Sequence, residues 1–187
     1  MVRRKIKKAK GMLGFAFVLL ALVLGALVAR KYETAQRKVE QAPPVQPAGT
    51  RVVSLYFQAA DASGLVREGR EIEIGDSVEE TMEAVLDELI SGPVGGLAPT
   101  LPPQTRVLGV QLKGDVAEIN FGHELQDELP AGSSAETTVV TSVADTVAAN
   151  FPTVKEVQFL VEGAVPETLK GHVDLRHPIK PDFANTK

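Results

Sequence analysis

The stretch from Val78 to Phe121 constrains the fold most. A helical pattern ends in Leu89-Ile90-Ser91-Gly92-Pro93, a Gly/Pro-rich segment follows, and two alternating runs then meet at a tight turn. Val78, Met82, Val85, Leu86 and Leu89 recur at helical spacing and so define a core face. Ser77 and Glu80 stand at capping-box spacing, in which hydroxyl and carboxylate each satisfy an orphan backbone N–H; Asp76 is an alternative cap. Gly92 is free to turn left-handed and Pro93 lacks the N–H needed to continue, so the helix stops at Ser91. Gly95, Gly96, Pro99, Pro102 and Pro103 then exclude regular structure up to Thr105. Leu108, Val110 and Leu112 alternate with Val107, Gly109 and Gln111, a turn falls at Gly114-Asp115, and Ala117, Ile119 and Phe121 alternate with Glu118 and Asn120. That pattern predicts a hairpin with one buried face.

The N-terminus sets the address. Residues 1–11 carry six cations, and Met12 to Ala29 is a run of eighteen uncharged residues. As a helix this run spans about 27 Å, close to the hydrocarbon thickness of a bilayer. The positive-inside bias keeps the basic segment in the cytoplasm and places the rest outside it, although Arg30 and Lys31 blunt the contrast. A cleaved signal peptide has the same charge order, but no clean A-x-A site closes the apolar run; a retained single-pass helix over 12–29 is the favoured reading. Residues 30–49, with Pro43, Pro44 and Pro47, read as a Pro/Gln-rich spacer. A folded domain over 50–180 and a flexible tail over 181–187 complete the chain.

Within the domain, Val53, Leu55 and Phe57 alternate as a first strand, residues 59–69 read as a loop, and Arg70 to Ile74 as a short second strand. After the hairpin, 122–132 is an irregular acidic connector. Ser133 opens a second helix with Glu136 at capping-box spacing, and Val140, Val143, Ala144, Val147 and Phe151 keep its period. The β-branched run from Thr137 to Val143 argues the other way, and period with cap outweighs it. Val157, Phe159 and Val161 form a last strand, with a further short one expected around Val173 and Leu175.

Charge and residue inventory exclude several function classes. The first fifty residues hold ten Lys+Arg and two Asp+Glu, which leaves ten against twenty-two and a net charge of −12 for residues 51–187. Such a domain is a poor partner for nucleic acid, whose affinity comes from basic contacts that release counterions. Cysteine is absent, which rules out disulfides, thiolate metal sites and a lipidated cysteine. His123, His172 and His177 show no metal-ligand spacing, and Ser133 and Ser134 lack a nucleophile elbow. Glu80, Glu83 and Asp87 recur on one helix face, which suits acid/base chemistry only inside a pocket that raises one pKa. No cofactor, metal site or small-molecule ligand is indicated.

The local strings, taken in order, resemble the GerMN domain, a sporulation and germination module. They are Val53 to Phe57 (VSLYF), Leu86 to Pro93 (L-x-x-L-I-S-G-P), Pro102 to Phe121 (P-x-x-T-x-V before a V-x-L-x-G-x-V-A-x-I-N-F hairpin), and Gly132 to Glu136 (G-S-S-x-E). Val157 to Gly163 (V-x-F-L-V-E-G) and Gly171 to Asp174 (G-H-V-D) complete the set. The resemblance implies a non-catalytic, extracytoplasmic, membrane-tethered module whose α+β fold is similar to ring-building motifs of envelope assemblies. It transfers no catalytic residue. One module is present where some members carry two, and the tether is a helix rather than a lipidated cysteine.

The expected fold is α+β, with two helices on one face of a mixed, mainly antiparallel sheet in β-β-α-β-β-α-β order. The expected role is an assembly or binding module, with envelope proteins or further copies of itself as partners. Its contact surface is the loop carrying Gly92, Pro93, Gly95, Gly96, Pro99, Pro102 and Pro103. The alternatives are a cell-wall-acting envelope enzyme that uses carboxylates, and a lipid or small-ligand carrier, for which the alternating strands offer no cavity.

Overall fold

The computed structural model describes residues 49–186. The basic segment, the membrane-spanning reading of 12–29 and nearly all of the spacer lie outside the described residues. Among those described, no helix is long and apolar enough to cross a membrane.

Strand β1 (Thr50–Gln58) and strand β2 (Leu65–Glu73) form an antiparallel hairpin in unbroken register, from Thr50 opposite Glu73 to Gln58 opposite Leu65. The expected loop over 59–69 is therefore shorter and β2 longer. The cause lies in the composition of β2: only Leu65 and Ile72 are buried, and its inner face also carries Glu68 and Arg70. Those two bury most of their side chains as an ion pair, so a charge-rich run reads as solvent while forming half of a sheet.

Helix α1 (Val78–Ile90) starts as its sequence dictates. Ser77 Oγ accepts from Glu80 N at 3.0 Å, while the Glu80 carboxylate accepts from Asp76 N at 2.8 Å. Met82, Val85, Leu86 and Leu89 are fully buried, whereas Val78, expected on the core face, remains 48% exposed at the first turn. Gly92 ends the helix at φ +85°, a conformation open to glycine at low cost.

Strands β3 (Val107–Lys113) and β4 (Val116–Phe121) form the expected hairpin about Gly114-Asp115. A bulge between Val107 and Gly109 shifts the register, so Leu108 turns out to solvent while Val110 stays in the core. A single helical turn, α2 (Glu124–Asp127), interrupts the connector and buries Leu125. Helix α3 (Ser133–Asn150) follows, helical despite its β-branched run because Val139, Val140, Val143 and Val147 are all buried. Strand β5 (Glu156–Val161) then pairs parallel to β4.

The α+β class and the strand and helix order follow the expectation, with α2 added. The strands divide into two sheets, β1-β2 and β3-β4-β5, the second mixed in direction. Helix α1 packs on β1, β2, β3 and α3, and α3 packs on β1 and β5. One core results, with Phe57, Phe121 and Phe159 as its largest members and the rings of Phe121 and Phe159 stacked at 5.8 Å.

A helix occupies the free edge of β1. Asn150 accepts from Ser54 N at 2.9 Å and donates to Ser54 O at 2.7 Å; Thr146 Oγ1 accepts from Tyr56 N; Ser142 Oγ donates to Tyr56 O at 2.6 Å. Four helical residues rise about 6 Å and two strand residues about 6.6 Å, so a polar side chain every fourth residue tracks the strand edge. No strand forms at Val173 or Leu175. Instead, Ile179 exchanges both backbone bonds with Val157, and residues 182–186 are tied to the buried Asp145, which accepts from Asp182 N and Thr186 Oγ1.

Candidate functional site

The Gly/Pro segment is anchored along its length. Arg70, projecting from β2 beneath the end of α1, donates to the carbonyls of Glu88 and Gly92 and to the carboxylates of Glu88 and Glu68. Glu68 in turn accepts from Val94 N at 3.2 Å and Gly95 N at 3.4 Å. Desolvation opposes ionisation of Glu68, but these amides and Arg70 outweigh it and hold its carboxyl below the ordinary range. Further along, Ala98 exchanges both backbone bonds with Gln58, and Thr100 Oγ1 donates to Ser142 Oγ, whose own proton goes to Tyr56 O. The loop thus extends the sealed edge of β1.

The seven residues read from the sequence separate into two groups. Gly92 is buried, Pro93 half-buried, and Gly95 and Gly96 exposed beside Val94, which is 85% exposed. Pro99, Pro102 and Pro103 instead join Leu129, Pro130 and Thr138 around a groove of about 490 Å³. Pro102 is buried in its floor, with Pro99 and Pro103 on its exposed rim. The connector supplies Leu129 and Pro130, which the sequence reading left as irregular acidic chain. Next to the groove, and sharing Gln58 and Thr138 with it, a depression of about 270 Å³ is lined by Ser133, Ser134, Thr137 and Thr141. These hydroxyls recur at helical spacing along one face of α3.

Glu136 does not complete the expected capping box. Gly132 is the cap of α3 and makes no side-chain bond there; the Glu136 carboxylate turns inward, fully buried, and accepts from Leu169 N at 2.7 Å and His172 N at 2.8 Å. Burial alone would raise its pKa, but the amides of Lys170, His172, Leu169 and Val173 together bring it below the ordinary value. Two sequence strings, Gly132 to Glu136 and Gly171 to Asp174, therefore meet through one carboxylate.

The remaining titratable residues do not converge. Glu80 closes the cap of α1, Glu83 accepts from Val110 N at 3.2 Å on the edge of β3, and Asp87 is exposed, its carboxyl raised by partial desolvation and by Glu88. His123 is exposed beside Glu162, and Asp174 is engaged by Arg176, which holds its carboxyl well below the usual range. Among the described residues, no group of three or more His, Asp or Glu side chains is placed to hold a metal ion.

Fold and surface together define a small α+β module with a rigid, proline-lined groove. The family described as sporulation and spore germination, the Germane domain, matches residues 54–167, and the chain belongs to it as a GerMN-type member. Among solved structures, a candidate lipoprotein from Clostridium perfringens is 27% identical with a TM-score of 0.52, over 72% of this chain and 90% of that one. The tandem GerMN domains of the sporulation protein GerM from Bacillus subtilis share 20% identity at a TM-score of 0.53, over 72% of this chain and 46% of that one. The first GerMN domain of the same protein shares 18% at a TM-score of 0.54, over 70% and 97%. Among curated proteins none matches the chain.

Proposed function

We propose that the chain is a non-catalytic assembly or binding module. It is held outside the cytoplasmic membrane by a helix over 12–29 and engages envelope proteins through the proline groove and the adjoining loop tip. The observation that carries this reading is the anchoring of the segment from Gly92 to Thr105: Arg70, Glu68 and Gln58 bond its backbone and Ser142 the Thr100 hydroxyl, while Val94, Pro99 and Pro103 stay exposed. A preorganised apolar surface loses little entropy on binding. The enzyme alternative is disfavoured, because Glu80, Glu83 and Asp87 have separate surroundings and no shared cleft. Membership in a sporulation and germination family, and the likeness to a candidate lipoprotein, support an extracytoplasmic role; with no cysteine, the tether here would be the apolar helix.

A photocrosslinking residue at Gln104, in the groove wall, and another at Asp115, outside it, test the surface in cells of the native host. A discrete adduct at Gln104 and none at Asp115 is the expected result; equal labelling, or none at either, overturns the assignment. Deleting residues 12–29 should release the chain from the membrane fraction, and retention there would refute the tether.

A further inference from the structure

We infer that β2 is a self-pairing edge: two copies of the chain join antiparallel along Arg67–Glu71 about a two-fold axis through Gly69. The edge follows from the hydrogen bonding of β1. Ser54, Tyr56 and Gln58 turn their backbone groups toward α3 and Ala98, so the alternate residues Val53, Leu55 and Phe57 bond to Arg70, Glu68 and Val66 of β2. Arg67, Gly69 and Glu71 therefore direct their N–H and C=O groups to the other side. All three are exposed, and among the described residues none of those backbone groups has a hydrogen-bond partner. Thr186 bridges Leu65 at one end of this edge, which confines the open part to the following residues.

The occupant is indicated by charge. Val66 to Ile72 reads V-R-E-G-R-E-I, in which sign reverses about Gly69: Arg67 is answered by Glu71, and Glu68 by Arg70, with Val66 and Ile72 as apolar flanks. Charges on an edge strand ordinarily discourage pairing. In an antiparallel pair centred on Gly69, every charge of one copy instead faces its opposite on the second, whereas parallel in-register pairing sets like against like. Exposed Val52 lies beside the same axis: it is 71% accessible and its Cγ1 lies 3.6 Å from where a Cβ on Gly69 would stand, so it covers the glycine of its own copy on the outer face. The inference rests on the assembly role proposed above for its purpose, and names one surface for it.

The chain has no cysteine, so a single one reports the axis. In a hydrogen-bonded antiparallel pair the Cα atoms lie about 5.5 Å apart, within disulfide range, and Gly69 has room for the side chain. Full-length Gly69→Cys in detergent should form an oxidant-dependent dimer faster than Asp115→Cys. Arg67→Cys should crosslink to Glu71→Cys in a mixture, and neither to itself. By sedimentation, Glu71→Arg should weaken self-association about ten-fold, and Arg67→Glu with Glu71→Arg should restore it. Crosslinking at Gly69 no faster than at Asp115, or a double reversal no tighter than the single one, overturns the pairing. If the Gln104 adduct persists in that event, the assembly role stands without it; a Gly69 dimer with no adduct at Gln104 leaves the pairing and removes the groove.

Discussion

Asn150 and Ser54 exchange two hydrogen bonds, Nδ2 to the Ser54 carbonyl at 2.7 Å and Ser54 N to Oδ1 at 2.9 Å, so one side-chain amide stands in for a neighbouring strand's peptide group. Asn150 also donates to Thr146 O, which uses its second amide proton and fixes its orientation. Replacing it with alanine strands a donor and an acceptor on β1. Asn150→Ala should lower unfolding free energy by about 2 kcal/mol in a urea titration, and Asn150→Asp, which cannot donate, should also destabilise.

Glu136 predicts a limb of acid sensitivity. Its folded pKa lies below the unfolded value near 4.5, so the folded state binds its proton less readily. The stability it contributes is fully present above that unfolded value and is lost as pH falls through the lowered folded pKa. Glu136→Gln presents an NH₂ where two amides donate and should cost about 2 kcal/mol near neutrality. Thermal melts across pH 3 to 7 should show a smaller acid-side loss in the variant than in the parent.

Asp145 predicts the opposite sign. Burial raises its carboxyl above the unfolded 3.8, although Asp182 N and Thr186 Oγ1 partly offset this. The folded state therefore holds the proton more tightly, and this group's contribution falls as pH rises through the folded pKa. Asparagine can accept from Asp182 N and donate to Thr186 Oγ1. Asp145→Asn should be neutral or stabilising at pH 7, with that part of the pH dependence removed; a loss above about 1 kcal/mol would contradict the hydrogen-bond geometry.

Arg70 predicts a local effect. Lysine cannot reach two carbonyls and two carboxylates at once, because it lacks the planar fork. Arg70→Lys should cost about 1 kcal/mol, since the ion pair is partly solvated. Hydrogen exchange should quicken at the Val94 and Gly95 amides and remain slow at Gln58 and Ala98, whose pairing does not pass through Arg70.

What could be read from the sequence followed the range of the interactions. The stop of α1 at Gly92, the turn at Gly114-Asp115 and the cap at Ser77 are decided within a few residues, and all three were legible. The first half of β2 was not, because Glu68 buries its charge only by pairing with Arg70 and with amides beyond the end of α1, while the strand was read only from Arg70 onward. The role of Glu136 was misread for a related reason: capping-box spacing is local, whereas its actual partners lie at Leu169 and His172. Pro99, Pro102 and Pro103 were marked by composition, but their groove needs Leu129 and Pro130 from the connector, a juxtaposition that only the packed core creates. Ser142, Thr146 and Asn150 stand four apart in plain view, yet nothing in that spacing says that a strand edge lies opposite.

The helix that seals β1 also sets how far edge-to-edge growth can go. A hairpin with both edges open could add neighbours on either side and run on as a fibril. With one flank closed by side chains of α3, any copy that docks on β2 presents outward only its own closed flank. From Ser54 to Gln58 that flank has no free backbone group to offer a third copy, so growth beyond two through this hairpin is opposed over most of its length.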